Sequence, residues 1–184
     1  NILGGDEDYH KHQIKFQWFT PTVGKLVLMH STNMGVIKEL PSLDGNRSVI
    51  SPNARFYMGG TGMPSGEMLR GYEDNSIGPY SVSSYGSLRP RGGNVLLKYS
   101  AELRYPISES PMVYALLFAE VGNAWSEVSN IDPFNLKRSV GGGVRLYMPM
   151  IGMLGFDAGY GFDDNTGNGK PDGWRTHFIF GMPF

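Results

Sequence analysis

The residue best placed to do chemistry in this chain is Arg70, at the centre of Met68-Leu69-Arg70-Gly71-Tyr72, inside a Gly/Pro/Ser-rich segment running from about Lys38 to Gly93. A solvated surface loop has little use for a hydrophobic-Arg-Gly-aromatic core. A loop folded back into a polar cavity does have a use for one. Its planar guanidinium can bridge carboxylates through charge-assisted hydrogen bonds, which offsets the entropy lost when a long loop is ordered. The chemistry expected of Arg70 is therefore anchoring, not catalysis.

Other candidate groups are weaker. Asp164-x-Thr166-x-Asn168-Gly169 resembles the opening of a calcium loop, but Arg175 stands where a bidentate Glu is needed, so a polar turn is expected. His10, His12, His30 and His177 fall on strand-like segments; His10 and His12 can share a face, yet no third ligand is evident and no metal site is expected. Nucleophile-elbow, phosphate-loop and zinc-hydrolase motifs are missing. Gly141-Gly142-Gly143 lies in a strand pattern, where small residues let another segment approach, and does not open a phosphate-binding helix. Neither enzymatic activity nor a cofactor is expected.

The elements that must position Arg70 are legible from composition and periodicity. With 184 residues the chain can form one domain with a sizeable core. Charged residues make up 18%, below the roughly 25% of an ordinary soluble domain. The 26 Gly, 10 Tyr and 10 Phe point to turns and strands. A net charge of -1 without a basic run argues against nucleic acid as a partner and against a polybasic membrane tail. The lack of cysteine excludes disulfides and thiolate metal sites. No apolar run reaches the ~18 residues of a transmembrane helix, and Asn1-Ile2-Leu3-Gly4-Gly5 has no signal-peptide pattern. Without an initiator Met, the chain reads as the C-terminal piece of something longer.

Two-residue alternation recurs along the chain. It predicts strands over His10 to Thr20, Lys25 to Val36, Asn94 to Tyr105, Met112 to Trp125, Ser139 to Met148, a segment containing Phe156 to Phe162, and Trp174 to Phe184. From Asn94 to Tyr105 the pattern is clearest, with Val95, Leu97, Tyr99, Ala101 and Leu103 on an apolar face and Lys98, Ser100, Glu102 and Arg104 on a polar one. Glu120 lies opposite Ala115, Leu117, Ala119 and Val121, and Asp157 lies opposite Phe156, Ala158 and Tyr160. The count is about seven strands of ~10–14 residues, longer than is usual in soluble sheets and long enough to cross a bilayer when tilted.

The connections add a second regularity. Short links at Pro21, Pro106 and Pro149 alternate with long ones at Lys38–Gly93, Ser126–Lys137 and Asp163–Gly173, the asymmetry of outer-membrane barrels with tight periplasmic turns and longer extracellular loops. The expected fold is all-β, an antiparallel transmembrane β-barrel, because lipid cannot satisfy open strand edges. About seven strands do not readily close alone.

Three stretches carry a family resemblance: Phe56-Tyr57-Met58-Gly59-Gly60, Leu69-Arg70-Gly71-Tyr72 with the following Glu73 to Pro79, and Gly92-Gly93-Asn94. They resemble the sixth extracellular loop and next strand of the BamA-type outer-membrane protein assembly factors (the BamA/TamA superfamily). The likeness continues through Phe118 to Trp125, Val144 to Pro149, Phe156-Asp157 and the aromatic C-terminal strand, and spans nearly all 184 residues. It implies that 1–184 is a single C-terminal barrel segment, about the last seven of some sixteen strands. The loop at about 38–93 would be extracellular, and the upstream strands and POTRA domains would be absent.

The resemblance also implies that the loop folds into the lumen and that Arg70 pairs there with acidic side chains matching Glu102 and Glu120, with Gly71 and Tyr72 turning and packing beside it. Alternation places both glutamates on the inward face. An acid pair of the glycosidase kind is conceivable for them, but an arginine between would hold both ionised.

The C-terminal strand, with Phe178, Phe180 and Phe184 on one face, resembles a barrel-insertion signal, and in the family it meets the first strand at a weak seam. A lipid-facing strand with an aromatic girdle is the plainer alternative. Gly181 and Pro183 would weaken ladder pairing there.

The implied function is assembly and insertion of outer-membrane β-barrel proteins in the bacterial outer membrane. The implied partners are unfolded outer-membrane proteins, periplasmic chaperones, accessory lipoproteins and outer-membrane lipid. A TamA-like factor, a two-partner secretion transporter, a passive porin and a barrel-fused lipase remain as alternatives.

Overall fold

The structure, a computed structural model, describes residues 8–40, 49–150, 152–165 and 167–181. Seven strands form one antiparallel sheet: β1 (Tyr9–Pro21), β2 (Val27–Glu39), β5 (Val95–Glu109), β6 (Met112–Trp125), β7 (Lys137–Met148), β8 (Gly152–Gly161) and β9 (Gly173–Gly181), paired in that order. Each pairs with its neighbour in sequence except β2 and β5, which the long loop separates. A two-stranded hairpin, β3 (Tyr80–Val82) and β4 (Leu88–Pro90), stands inside that loop. Among the described residues β1 and β9 form the two edges, and helical structure is limited to two short 3-10 turns.

Alternation fails as a guide in two places. Pro106 was expected in a turn, yet β5 runs through it to Glu109, and the short link is Ser110-Pro111. A register shift between Pro106 and Ser108 absorbs the proline, since a residue without an N–H is tolerated in a strand where a bulge interrupts the ladder. The segment from Lys38 to Gly93, expected as loop throughout, holds the β3–β4 hairpin, and β2 extends to Glu39.

Burial is inverted relative to a soluble sheet. Arg70, Glu120 and Asp157 are 1%, 1% and 0% exposed, while Phe16, Phe156, Trp174, Phe178 and Phe180 are 54%, 57%, 70%, 64% and 58% exposed. One face of the sheet is thus an apolar belt and the other carries its charges under cover, as in a barrel with lipid outside and a polar lumen.

The long loop supplies the cover. Phe56 bridges to Gly93, Met58 to Glu67 and Ile77, and Gly60 to Leu69, so the loop folds on itself. Ile50, Phe56, Met58, Leu69, Tyr72 and Ile77 then form an apolar core against Ile37 of β2 and Leu96 of β5. The sheet makes room with glycine. The Phe56 ring occupies the space that a side chain at Gly35 would need, and the Met58 sulfur lies 3.0 Å from where a Cβ at Gly122 would stand.

Candidate functional site

The loop delivers Arg70 to the inner face of the sheet, where carboxylates from three strands meet it. Its Nη2 donates to Glu102 Oε1 of β5 at 2.6 Å and to Glu120 Oε1 of β6 at 2.8 Å. Its Nη1 donates to Asp157 Oδ2 of β8 at 3.2 Å, and its backbone N–H donates to Glu120 Oε2 at 2.9 Å. The guanidinium carbon sits 3.6 Å from the centroid of the Phe118 ring, a cation–π contact that covers its face.

Each carboxylate has a second cation. Glu102 binds Arg104 at 2.6 Å, Asp157 binds Arg145 of β7 at 2.5 and 2.7 Å, and Glu120 lies 3.4 Å from Lys98, which in turn lies 3.6 Å from Glu67 of the loop. Glu67 accepts from Asn33 of β2 at 2.6 Å, and Asn33 accepts from Gln13 of β1 at 3.1 Å. Four cations (Arg70, Lys98, Arg104, Arg145) face four carboxylates (Glu67, Glu102, Glu120, Asp157), so the node is balanced. Burial alone would weaken the hold of Arg70 on its proton. The fields of Glu120, Glu102 and Asp157 outweigh burial and raise its pKa, so Arg70 stays charged at any working pH.

Gly71 and Tyr72 complete the seat. Gly71 adopts φ +88°, a conformation that disfavours side chains, and a Cβ on it would come 2.8 Å from Gly161 N. A Cβ on Gly159 would come 2.8 Å from Gly71 N, so two backbones lie in direct contact. The Gly71 N–H donates to His177 Nε2 of β9 at 2.9 Å. Tyr72 is fully buried and its hydroxyl donates to the Arg138 carbonyl at 2.6 Å, with Asp163 Oδ2 at 3.2 Å. Burial first, and then the Asp163 charge, push the phenol pKa above its ordinary value, so the hydroxyl remains a donor. Asp163 also takes the Arg138 guanidinium at 2.9 Å and backbone N–H at 2.6 Å; partial burial opposes its charge, but these bonds win and its pKa is lowered.

The structure therefore brings Arg70, Gly71, Tyr72, Glu102 and Glu120 together. Asp157, Arg145, Lys98, Glu67 and His177 join them, none of which sequence reasoning had assigned to the site. Alternation did place Asp157 and Lys98 opposite the apolar face, which was the available signal. Phe178 and Phe180 point away from the site on the exposed face, paired with Phe156 and Leu154. Gly181 ends β9 opposite Met153, with nothing within 4 Å of the place a Cβ would take. Phe184 and Pro183 lie outside the described residues. Asp164 takes the N–H groups of Gly167, Asn168 and Gly169, which is a polar turn. No cluster of three or more metal-ligating side chains occurs among the described residues.

An outward-apolar, inward-charged antiparallel sheet with a loop pinned to its charged face is part of the wall of a transmembrane β-barrel. The family model of the Omp85 superfamily domain matches residues 1–184, and the chain belongs to that superfamily. Within it, the chain is similar to the outer membrane protein assembly factor BamA of Neisseria meningitidis serogroup B, 28% identical over 153 residues, covering 78% of this chain and 17% of the relative. It is also similar to BamA of Nitratidesulfovibrio vulgaris, 25% identical over 183 residues, covering 99% of this chain and 21% of that protein. The chain thus spans about a fifth of the length of these curated relatives. The crystal structure of BamA from Haemophilus ducreyi lacking POTRA domains 1–3 superimposes with a TM-score of 0.68 at 21% identity, covering 96% of this chain and 36% of that one.

Proposed function

We propose that this chain is the working end of a factor that folds β-barrel proteins and inserts them into the bacterial outer membrane through a lateral seam, without a chemical step or a cofactor. The observation that carries this reading is the buried node. Through Arg70 and Gly71 one loop is fastened to β5, β6, β8 and β9, so the inner side of the sheet is braced as a unit. The outer edge of β9 has no strand partner among the described residues. An unpaired edge next to a braced sheet is a template for an incoming strand, and pairing of the client's own backbone drives the exchange. The names of the curated relatives, outer membrane protein assembly factors, support the same reading.

The partners are then unfolded outer-membrane proteins, delivered by periplasmic chaperones and received with accessory lipoproteins. The exposed aromatic face of β8 and β9 meets lipid in the bacterial outer membrane. Every carboxylate of the node is committed to a cation, which leaves none free to shuttle protons.

A charge-swap cycle in the intact gene tests this. Arg70→Glu and Glu120→Arg each lower the levels of outer-membrane β-barrel proteins and cell viability. The double variant recovers part of the loss through the exchanged 70–120 pair, and only part, because a carboxylate at position 70 would still face Glu102 and Asp157. Unchanged outer-membrane protein levels in Arg70→Glu would overturn the reading in favour of a passive pore.

A further inference from the structure

The hydrogen bond between His177 and Gly71 ties β9 directly to the loop and uses a titratable side chain to do so. A backbone N–H can only donate, so at 2.9 Å the facing Nε2 presents its lone pair and the neutral ring carries its proton on Nδ1. Protonation puts an N–H on Nε2. Two donors then point at each other across a buried contact, and the bond cannot survive. His177 is 7% exposed, so water cannot readily take over as acceptor.

The surroundings offer no replacement. The charged groups that face the ring are Asp157, directly across on β8, Asp74 and Arg70 of the loop, and Glu120 of β6. Asp157 is held by Arg145 and Arg70, Glu120 by Arg70 and Lys98, and Asp74 accepts from the N–H and hydroxyl of Thr61. On β9 itself, Arg175 is paired with Glu73 of the loop at 3.1 Å. A proton on His177 adds a fifth cation to a node whose charges already balance.

We propose that His177 is a proton-controlled positioning residue. In its neutral form it latches β9 onto the loop at Gly71, and protonation breaks that buried tie while leaving the Arg70 anchor and the outlying Arg175–Glu73 pair in place. The contact is local to β9, because the bonds of Arg70 to β5, β6 and β8 involve none of the atoms of His177. The part this release plays in client insertion rests on the function proposed above; the latch itself is read without any client.

Amide hydrogen exchange of the peptide covering β9, measured on the intact protein in lipid nanodiscs and corrected for the intrinsic pH dependence, tests the latch. In the wild type, protection of β9 falls about tenfold or more between about pH 8 and pH 5. Protection of β5 and β6 does not change. His177→Gln, whose amide oxygen can accept the Gly71 N–H without titrating, keeps β9 protected across the range. His177→Leu, with no acceptor, leaves β9 poorly protected at every pH. A flat wild-type profile, a pH-dependent loss that persists in His177→Gln, or full protection in His177→Leu would each overturn the latch. These outcomes are independent of outer-membrane protein levels, so a failed latch and a failed assembly reading are distinguishable.

Discussion

Asp157 and Arg70 lie 87 positions apart in sequence and meet at 3.2 Å beneath the loop, and the same carboxylate holds Arg145 at 2.5 and 2.7 Å. Among the described residues, Asp157 is thus the one carboxylate paired with both of these buried guanidinium groups, Arg70 and Arg145.

Removing Asp157 leaves both arginines short of a partner in a site closed to water. Asp157→Ala is expected to cost ~3–5 kcal/mol, the usual penalty for orphaning a buried ion. Adding Arg145→Leu to it should restore part of that, because Arg70 keeps Glu102 and Glu120 while the guanidinium left without its carboxylate is gone. Unfolding monitored by the heat-dependent gel shift of the barrel reads both variants. Equal losses in the single and double variants would mean that Arg145 does not feel Asp157.

Lysine cannot replace Arg70. An ammonium is a point charge with no fixed fork, whereas Arg70 reaches Glu102 and Glu120 with one nitrogen and Asp157 with the other. Arg70→Lys is expected to keep the charge balance yet lose the hold on Asp157. Proteolysis within the loop at residues 60–75 should rise severalfold over wild type, less than in Arg70→Ala. Protection as full as the wild type would mean that charge alone holds the loop.

The approach of two backbones makes Gly159 a sensitive position. A methyl there would come 2.8 Å from Gly71 N, and neither backbone can move aside cheaply. Gly159→Ala is expected to lift the loop and expose Arg70 to proteolysis or labelling nearby. Gly142→Ala is a milder control, since its methyl would meet the flexible end of Leu117 at 3.1 Å and the Leu116 carbonyl oxygen at 3.2 Å and lies away from the loop contact at Gly71. Equal loop accessibility in the two variants would show that the seat is softer than it looks.

Asp163 gives the Tyr72 anchor a pH dependence. Its folded pKa is depressed, so its contribution is present above the unfolded carboxylate value near ~4 and disappears as pH falls through the folded value. Because Asp163 is partly exposed, the effect is small. Asp163→Asn should lower thermal stability at pH 7, and its difference from the wild type should shrink under strong acid. A difference that stays constant to low pH would assign it to packing.

Much of this arrangement could be read from the chain. Strand positions and faces followed from period two because each strand has apolar residues toward lipid and polar ones inward, as with Leu97, Tyr99 and Ala101 against Lys98, Ser100 and Glu102. The motif around Arg70 stood out because nothing in a solvated loop calls for it. Asp157 was legible as inward-facing but not as a partner. Alternation reports a face, whereas meeting Arg70 depends on the register that sets Asp157 opposite Gly143 and His177. Pro106 misled because a proline followed closely by Ser108-Glu109-Ser110-Pro111 looks like a turn from sequence, and only the bulge shows how a strand absorbs it. The β3–β4 hairpin was missed because three-residue strands leave too short a pattern to detect.

The acceptors of Arg70 and Gly71, namely Glu102, Glu120, Asp157 and His177, all come after the loop in the chain. The loop is therefore threaded before its socket exists. A sheet holding only β5 and β6 offers Glu102 and Glu120, and the socket is whole only when β8 and β9 bring Asp157 and His177. Docking thus rewards each strand that arrives and most of all the last, so one arginine ties the seating of the loop to completion of the sheet.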